Sequence, residues 1–226
     1  MENTIRHIGL IMDGNRRWAK KRGLPQIMGW HAGVKALENT LRAAKEFGVK
    51  YISVYAFSTE NWNRSAEEVS QLMGLFKFYA KLKLRELMKE GVRIRFAGAS
   101  DMVSAEIAEI LHGIEEKTKD NDVIQLIVCF NYGGRREITD AVNNLLKAGV
   151  AEITEAELSR QMYLPDVPDP DLLVRTSGEL RMSNFWIWEG AYSEYYFTDT
   201  LWPDFGKEEL KKAIDSYFER SRRYGK

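Results

Sequence analysis

The sequence is poor in the residues that build stapled or metal-held folds. One cysteine, Cys129, stands among 226 residues, which excludes an internal disulfide framework and suits a reducing compartment. Three histidines, His7, His31 and His112, are too few and too scattered for a histidine-built zinc site. No apolar run approaches the ~18 residues of a membrane span. The opening MENTIRH lacks the apolar stretch of a secretory signal. Net charge is absent as well. Lys+Arg at 33 and Asp+Glu at 33 cancel, so no global field draws the chain to nucleic acid or anionic lipid. Also missing are the G-x-x-x-x-G-K-[ST] phosphate loop, G-x-G-x-x-G and the G-x-S-x-G elbow. What is present is a hydrophobic share of 44%, enough for one domain over residues 1–226 with a sizeable core. A soluble, cytoplasmic, globular protein is expected.

No repeat, low-complexity tract or Ser/Gly linker interrupts the chain, and LPDVPDPD at Leu164–Asp171 is the one turn-rich boundary candidate. Strand-like runs occur at His7–Met12, Tyr51–Phe57, Val92–Ala97, Ile124–Phe130, Leu172–Arg175 and Tyr195–Thr198. Helical patterns cover His31–Phe47, Ala66–Lys89, Ala105–Lys117, Glu137–Leu146 and Lys207–Tyr224. Thr154 with Glu157 forms a capping-box signature that opens a short helix to about Gln161. This alternation predicts an α/β fold: a mostly parallel six-stranded sheet with helices on both faces. Ligands bind such sheets beyond the carboxyl ends of the strands.

The helix at Ala66–Lys89 carries two apolar stripes when counted at ~100° per residue. Val69, Leu72, Met73, Phe76, Ala80, Leu84 and Leu87 form one. Leu75, Phe78, Tyr79 and Leu82 form another, roughly 130° away. The second must face another helix, a partner subunit or an apolar cavity.

Polar clusters follow three strands. Asp13-Gly14-Asn15-Arg16-Arg17-Trp18 follows the first. A carboxylate, a glycine and a helix start turn backbone N–H groups toward an anion, Arg17 can fork onto phosphate oxygens, and Asp13 can hold Mg²⁺ or accept a proton. Lys20, Lys21 and Arg22 read as a solvated basic face. After the second strand come Ser58, Thr59, Glu60, Asn61, Trp62 and Arg64. Ser58 or Thr59 serves as a helix cap in the plain structural reading, whereas Asn61 and Arg64 have no comparably simple structural role. In the last third, Arg175 and Arg181 flank a Ser-Gly turn, with Ser183 as a further donor and Glu194 opening the final strand. Such clusters suit an anion-rich, phosphate-bearing substrate. Cys129, inside an apolar run, reads as buried and inert.

At these clusters the chain resembles the cis-prenyltransferase family, the undecaprenyl diphosphate synthases. I-M-D-G-N-x-R-W stands at Ile11–Trp18 and A-F-S-x-E-N-W-x-R at Ala56–Arg64. R-T-x-G-E-x-R-x-S-N-F begins at Arg175, N-Y-G-G-R stands at Asn131–Arg135, L-W-P-D-F at Leu201–Phe205 and R-R-Y-G at Arg222–Gly225. The resemblance implies Mg²⁺-dependent condensation of isopentenyl diphosphate onto an allylic diphosphate, usually farnesyl diphosphate, with cis double bonds. The product would be a long polyprenyl diphosphate such as undecaprenyl diphosphate, the lipid carrier for cell-wall synthesis. It further implies that Asp13 binds Mg²⁺ and is catalytic, that Asn61 helps remove the proton, and that Glu194 completes the metal site. Gly14, Asn15, Arg16, Arg17 and Trp18 would cradle the allylic diphosphate. Ser58, Thr59, Glu60, Trp62 and Arg64 would line the substrate site, and Arg175, Arg181, Met182 and Ser183 would hold isopentenyl diphosphate. The family is homodimeric, and Arg223 with Gly225 resembles an element that reaches the partner subunit. Membrane contact is implied only through product delivery. The growing hydrocarbon needs an apolar tunnel, for which the second stripe would be one wall, so that replacing Phe78 or Leu82 should shift product length.

Trp30 and Gln26 depart from the family pattern, standing where a histidine and an arginine are usual. His31, one place later, inherits no catalytic role. Three other readings stay open: a short-chain cis-prenyl diphosphate synthase, an α/β phosphohydrolase using Asp13 as nucleophile, and a non-catalytic partner subunit.

Overall fold

The computed structural model describes residues 5–220. Six strands form one sheet in the order β3-β4-β2-β1-β5-β6, and all five pairings are parallel. The strands are β1 His7–Ile11, β2 Tyr51–Ser58, β3 Val92–Ala97, β4 Ile124–Tyr132, β5 Leu172–Arg175 and β6 Glu194–Phe197. β1, at the centre, is buried along its whole length, as a strand covered on both faces must be.

The helices are α1 Asn15–Lys21, α2 Gln26–Glu46, α3 Ala66–Lys89, α4 Ala105–Thr118, α5 Gly134–Lys147, α6 Glu155–Ser159 and α7 Lys207–Glu219. α2 and α7 pack on one face of the sheet in a core that holds Trp202, Phe205 and Leu210, with α3 and α4 alongside. The opposite face carries Tyr132, Phe185 and Trp186, next to a smaller cluster from α5 and α6. Cys129 is buried there, and burial pushes its thiol well up. His7 is a structural residue. Its ring bonds the Pro168 carbonyl and the Ser53 hydroxyl, and burial lowers its pKa to about 4.

Helix starts differ most from the pattern-based expectation. α2 begins at Gln26 rather than His31, right after Pro25, whose fixed φ suits a helix entry. Gly29 and Gly33 do not stop this helix. They let α1 lie against it, since a Cβ on Gly29 would fall 2.1 Å from the Asn15 carbonyl oxygen. α5 likewise begins three residues early, at Gly134, where its glycines face Thr59, Asn184 and Ile187. The Thr154–Glu157 capping box is present as expected. The end of the helix expected to reach Tyr224 lies outside the described residues.

The chain leaves β1 toward β2 and leaves β5 toward β6, on opposite sides. The carboxyl ends of β1 and β5 therefore border a crevice. Asp13 follows one and Arg175 ends the other.

Candidate active site

Asp13 is fixed through its main chain before its carboxylate is considered. Its carbonyl accepts from the Thr176 hydroxyl at 2.7 Å and from the Trp202 amide at 3.0 Å. Gly14 then turns in the left-handed region (φ 109°), where a side chain would be strained and would press on Leu201 and Ser177. α1 starts there without any side-chain cap, leaving first-turn N–H groups unbonded by side chains. The Asp13 carboxylate takes Arg175 at 3.1 Å and Arg17 at 3.5 Å. Arg17 also donates to the Ser177 carbonyl at 2.9 Å and pairs with Glu179 at 3.2 Å. Arg175 is buried and donates to the Arg181 carbonyl and Ser183 hydroxyl, both at 2.6 Å. One arginine thus ties Asp13 to the turn after β5, which holds Ser177, Ser183 and Asn184 at positive φ. Such local strain persists only where surrounding contacts over-determine the backbone.

The second cluster departs from its sequence reading. Ser58 caps the 3₁₀ turn Thr59–Asn63, and Asn61 completes a capping box by accepting the Ser58 N–H at 3.0 Å. Asn61 therefore has a structural task, leaving its Nδ2 as the free donor. Trp62 turns inward to Phe57 and donates to Asn131 at 2.7 Å. Arg64 and Arg16 share the Glu68 carboxylate. Burial and the nearby Arg16 charge lower the Arg64 pKa. Burial works against an ionised Glu60, but hydrogen bonds from its own backbone, Asn184, Ser58 and Thr59 outweigh it and hold that carboxyl below its usual range.

A cavity of about 870 Å³ opens among these groups and runs between the sheet, α2 and α3. Asp13, Asn15, Ser58, Glu60, Asn61, Arg64, Arg175, Arg181 and Ser183 meet at its lining. Behind them the walls are apolar, with Leu37 and Leu41 from α2, Leu72, Phe76 and Leu84 from α3, and Val54 and Leu126 from the sheet. Trp30 is buried and lines the cavity, whereas Gln26 is exposed at the start of α2.

The remaining expected residues stand outside the lining. Gly14, Arg16, Arg17 and Thr59 are not among the residues that line it. Trp18 is drawn away, donating to Asp204 at 2.7 Å beneath the Arg22 guanidinium. Arg22 is exposed with Lys20 and Lys21, as expected, and in addition pairs with Asp204. Met182 packs into the core on the other sheet face. Glu194 pairs with Leu172 at the amino end of the sheet and binds Arg220 at 2.9 Å. Three residues of strand separate it from the level of Arg175, so one chain does not bring Glu194 to Asp13. Arg223 and Gly225 lie outside the described residues. Glu68, Asn131, Ser177 and Asn184 were missed as individual partners. Asn131 and Asn184 lie inside the N-Y-G-G-R and S-N-F motifs, and their positive φ explains why asparagine stands there.

The second stripe of α3 is divided, and the first lines the cavity. Leu72, Met73, Phe76, Ala80, Leu84 and Leu87 of the first face the cavity, joined by Leu75 and Tyr79 of the second. Phe78 and Leu82 are 53% and 55% exposed, so they are not walls of the cavity. Not one of the 24 residues of α3 is buried, although nine of the 21 in α2 are, because α3 covers a void rather than a filled core. Phe78→Ser and Leu82→Ser are accordingly expected to leave the lengths of any prenyl product unchanged. Chromatographic sizing checks this, and a shift with either variant would restore them as walls.

A charged mouth on an apolar cavity, at the carboxyl ends of the strands of a parallel sheet, defines the candidate site of this α/β protein. The chain matches the family model described as "Putative undecaprenyl diphosphate synthase" over residues 11–225. It is 51% identical over 224 residues to an isoprenyl transferase of Fusobacterium nucleatum subsp. nucleatum, covering 99% of this chain and 97% of that one. It is 46% identical to a trans,polycis-polyprenyl diphosphate synthase ((2Z,6E)-farnesyl diphosphate specific) of Thermobifida fusca, covering 97% and 80%. Among solved structures, lavandulyl diphosphate synthase from Lavandula x intermedia, in complex with dimethylallyl diphosphate, superposes with a TM-score of 0.93 at 30% identity and full coverage of both chains. The chain belongs to the undecaprenyl diphosphate synthase family of prenyltransferases. No helix among the described residues is long and apolar enough to cross a membrane.

Proposed function

We propose that the protein condenses isopentenyl diphosphate onto an allylic diphosphate, farnesyl diphosphate being the expected primer, to give a cis-polyprenyl diphosphate. The observation that carries this is the juncture of Asp13, Arg64, Arg175, Arg181 and Ser183 with an apolar cavity of about 870 Å³. In the reaction the allylic C–O bond breaks, its electron pair leaves on diphosphate, a C–C bond forms to isopentenyl diphosphate, and a proton is lost. Arg64 and Arg181 hold the diphosphate oxygens, and each charge-assisted contact contributes ~1.5–3 kcal/mol, roughly ten- to a hundredfold. The uncapped start of α1 adds N–H donors where charge develops. Arg175, already bonded to Asp13 and Ser183, keeps the two halves of the mouth in register. Asn61 has no basic site, so its part in proton removal is to orient the acceptor through Nδ2. The apolar walls exclude water from the reacting carbon and reward each buried CH₂ by ~0.8 kcal/mol.

Asp13 suits Mg²⁺ of the kind held by one carboxylate together with substrate phosphates. Its Oδ2 is taken by arginines while its Oδ1 makes no hydrogen bond among the described residues. No group of three or more His, Cys, Asp or Glu side chains among them is placed to hold a metal ion, so the ion would be shared with the substrate. When bound, it would neutralise the leaving diphosphate. Glu194 has no place in that set within one chain. A homodimer in the cytoplasm, with Arg223 and Gly225 reaching the partner subunit, belongs to the same proposal.

Chain length has two readings. The family description favours a long product. The structural likeness to lavandulyl diphosphate synthase, with a TM-score of 0.93, supports a shorter one. The test is incubation with Mg²⁺, labelled isopentenyl diphosphate and farnesyl or geranyl diphosphate, with products sized by chromatography. A ladder of prenyl diphosphates is expected, and chelation of the metal should abolish it. Release of inorganic phosphate from simple phosphate esters would favour a phosphohydrolase. No product from a folded dimer would leave the partner-subunit role.

A further inference from the structure

α3 lines the cavity with one face and meets solvent with the other. The exposed residues from position 74 to 89 are Gly74, Phe78, Lys81, Leu82, Arg85 and Lys89. At ~100° per residue all six fall within one arc of about 100°. None is acidic. In a chain whose charges cancel, this is a local excess of one sign. Lys77 and Lys83 of the same helix are paired, with Glu106 and Glu38. Lys81, Arg85 and Lys89 make no ion pair among the described residues, and they stand a helical turn apart, where like charges repel. Exposed apolar side chains standing singly are ordinary on a surface. Phe78 and Leu82 are one turn apart, each more than half exposed, and set among these cations.

Beside this stripe, Lys81, Arg85 and Lys117 border a groove of about 620 Å³ between α3 and α4, with Met88 and Ile110 among its apolar lining and Glu109 as its one acid. A second patch is linked to Phe78. Residues 20–28 are exposed throughout. They hold Lys20, Lys21 and Arg22 but no acid, and they show Leu24, Ile27 and Met28 to solvent. Of the three cations only Arg22 has an acidic partner, Asp204. Ile27 stands one turn before His31, whose ring bonds Tyr79 at 2.7 Å, and Tyr79 packs on Phe78.

We propose that the outer face of α3, together with residues 20–28, rests on the surface of a bilayer that contains anionic phospholipid. The lysines and Arg85 meet lipid phosphates, which offsets their mutual repulsion. Phe78 and Leu82 sink into the boundary between headgroups and acyl chains. A second copy of the chain is a poor occupant, because a two-fold contact would set the cationic stripe against itself. An acidic protein would satisfy the cations alone. Lipid satisfies cations and apolar side chains together, since headgroups and hydrocarbon lie within ~5–10 Å of each other. The purpose of the contact, though not the contact itself, rests on the prenyl-transfer reading above. A helix is about 10–12 Å thick, so docking on this face holds the cavity within that distance of the bilayer that must receive a polyprenyl product.

The test is sedimentation of the full chain with phosphatidylcholine vesicles, with and without about one-third phosphatidylglycerol. Each cation at an anionic surface raises binding about fivefold. Expected is binding to the anionic vesicles at least about tenfold tighter than to neutral ones, and weaker when salt rises from ~0.1 to ~0.5 M. Lys81→Glu with Arg85→Glu should remove that preference, and Phe78→Ser with Leu82→Ser should weaken binding at least about fivefold. The same charge change at the ends of α5 and α6, Lys147→Glu with Arg160→Glu, should keep the preference. Should the α3 reversal fail to fold, Lys81→Gln with Arg85→Gln takes its place, with an expected loss of about twentyfold. Wild type that ignores anionic vesicles, or a folded α3 charge variant that binds them as wild type does, overturns the docking face and leaves the transferase reading as it was. Equal losses for the α3 and the α5–α6 variants mean diffuse electrostatics and overturn it too. Equally tight capture by soluble polyglutamate assigns the face to an acidic protein and overturns the lipid. Vesicle binding by a folded protein that makes no prenyl product upholds the contact and overturns the transferase reading alone.

Discussion

Asp13→Asn is expected to lower turnover by about a thousandfold, the upper part of the range for removing one preorganised charge contact from a reacting centre. The substitution keeps the shape, the left-handed turn at Gly14 and the bonds that Thr176 and Trp202 make to the Asp13 carbonyl. Only the charge goes. That charge stands against two arginines at 3.1 and 3.5 Å and is the carboxylate proposed to meet the metal. Arg175 is buried, and its Nε already lacks a partner. Taking away its counter-charge therefore costs stability as well. A fully buried pair would lose 3–5 kcal/mol, and this half-open one should lose about 1–3. The two effects separate experimentally. Thermal melts give the stability change, and single-turnover assays below the melting range give the chemical one. With Asp13→Asn folded, activity within tenfold of wild type would remove Asp13 from the chemistry and leave it an Arg175 counter-ion.

The central strands were legible because a parallel strand covered on both faces reads as an unbroken apolar run, and HIGLI at β1 has no other use. α3 was legible as a helix, and its excess of apolar faces signalled a void, but which stripe faced that void was not. Periodicity gives the angle between stripes and says nothing of which one the sheet receives. Asn61 and Trp18 show a second limit. Each sits in a functional motif, yet each makes a local or tertiary bond, to Ser58 and Asp204 respectively. Motif membership alone does not separate a side chain that faces ligand from one that holds the loop. Glu194 shows a third. Its strand is four residues long, so a shift of three positions carries a residue from one end of the sheet to the other. The cavity mouth was the most readable part, since three polar clusters after three strands of a parallel sheet must converge at one edge.

Glu189→Gln is expected to stabilise the protein by about 3 kcal/mol at pH 7. Glu189 and Glu137 face each other behind the sheet, and one Glu189 carboxyl oxygen is buried without a hydrogen-bond partner. Glu137 is better provided, accepting from the Tyr132 hydroxyl and from the Tyr163 amide at 2.9 Å. Asp140, Asp169, Tyr163 and Cys129 complete the titratable surroundings, and the charges that act most strongly on Glu189 are those of Glu137 and Asp169, both negative. Burial first, then repulsion by Glu137, raises the Glu189 pKa from 4.5 to about 9. A carboxyl whose folded pKa exceeds its unfolded one binds its proton more tightly in the native state. Its contribution is fully present below about pH 4.5 and is lost as pH rises toward 9. Wild type should therefore lose about 1.4 kcal/mol per pH unit across that window from this group. Glutamine has the same shape, carries no proton to lose, and can donate an amide N–H to Glu137. The advantage of Glu189→Gln should thus be near zero at pH 4.5 and grow through neutrality, with a melting point higher by about 6–12 °C at pH 7. Urea melts at pH 5, 7 and 9 measure it directly. An advantage that stays constant with pH would mean that Glu189 is ionised in the native state, with a counter-charge supplied from outside the described residues.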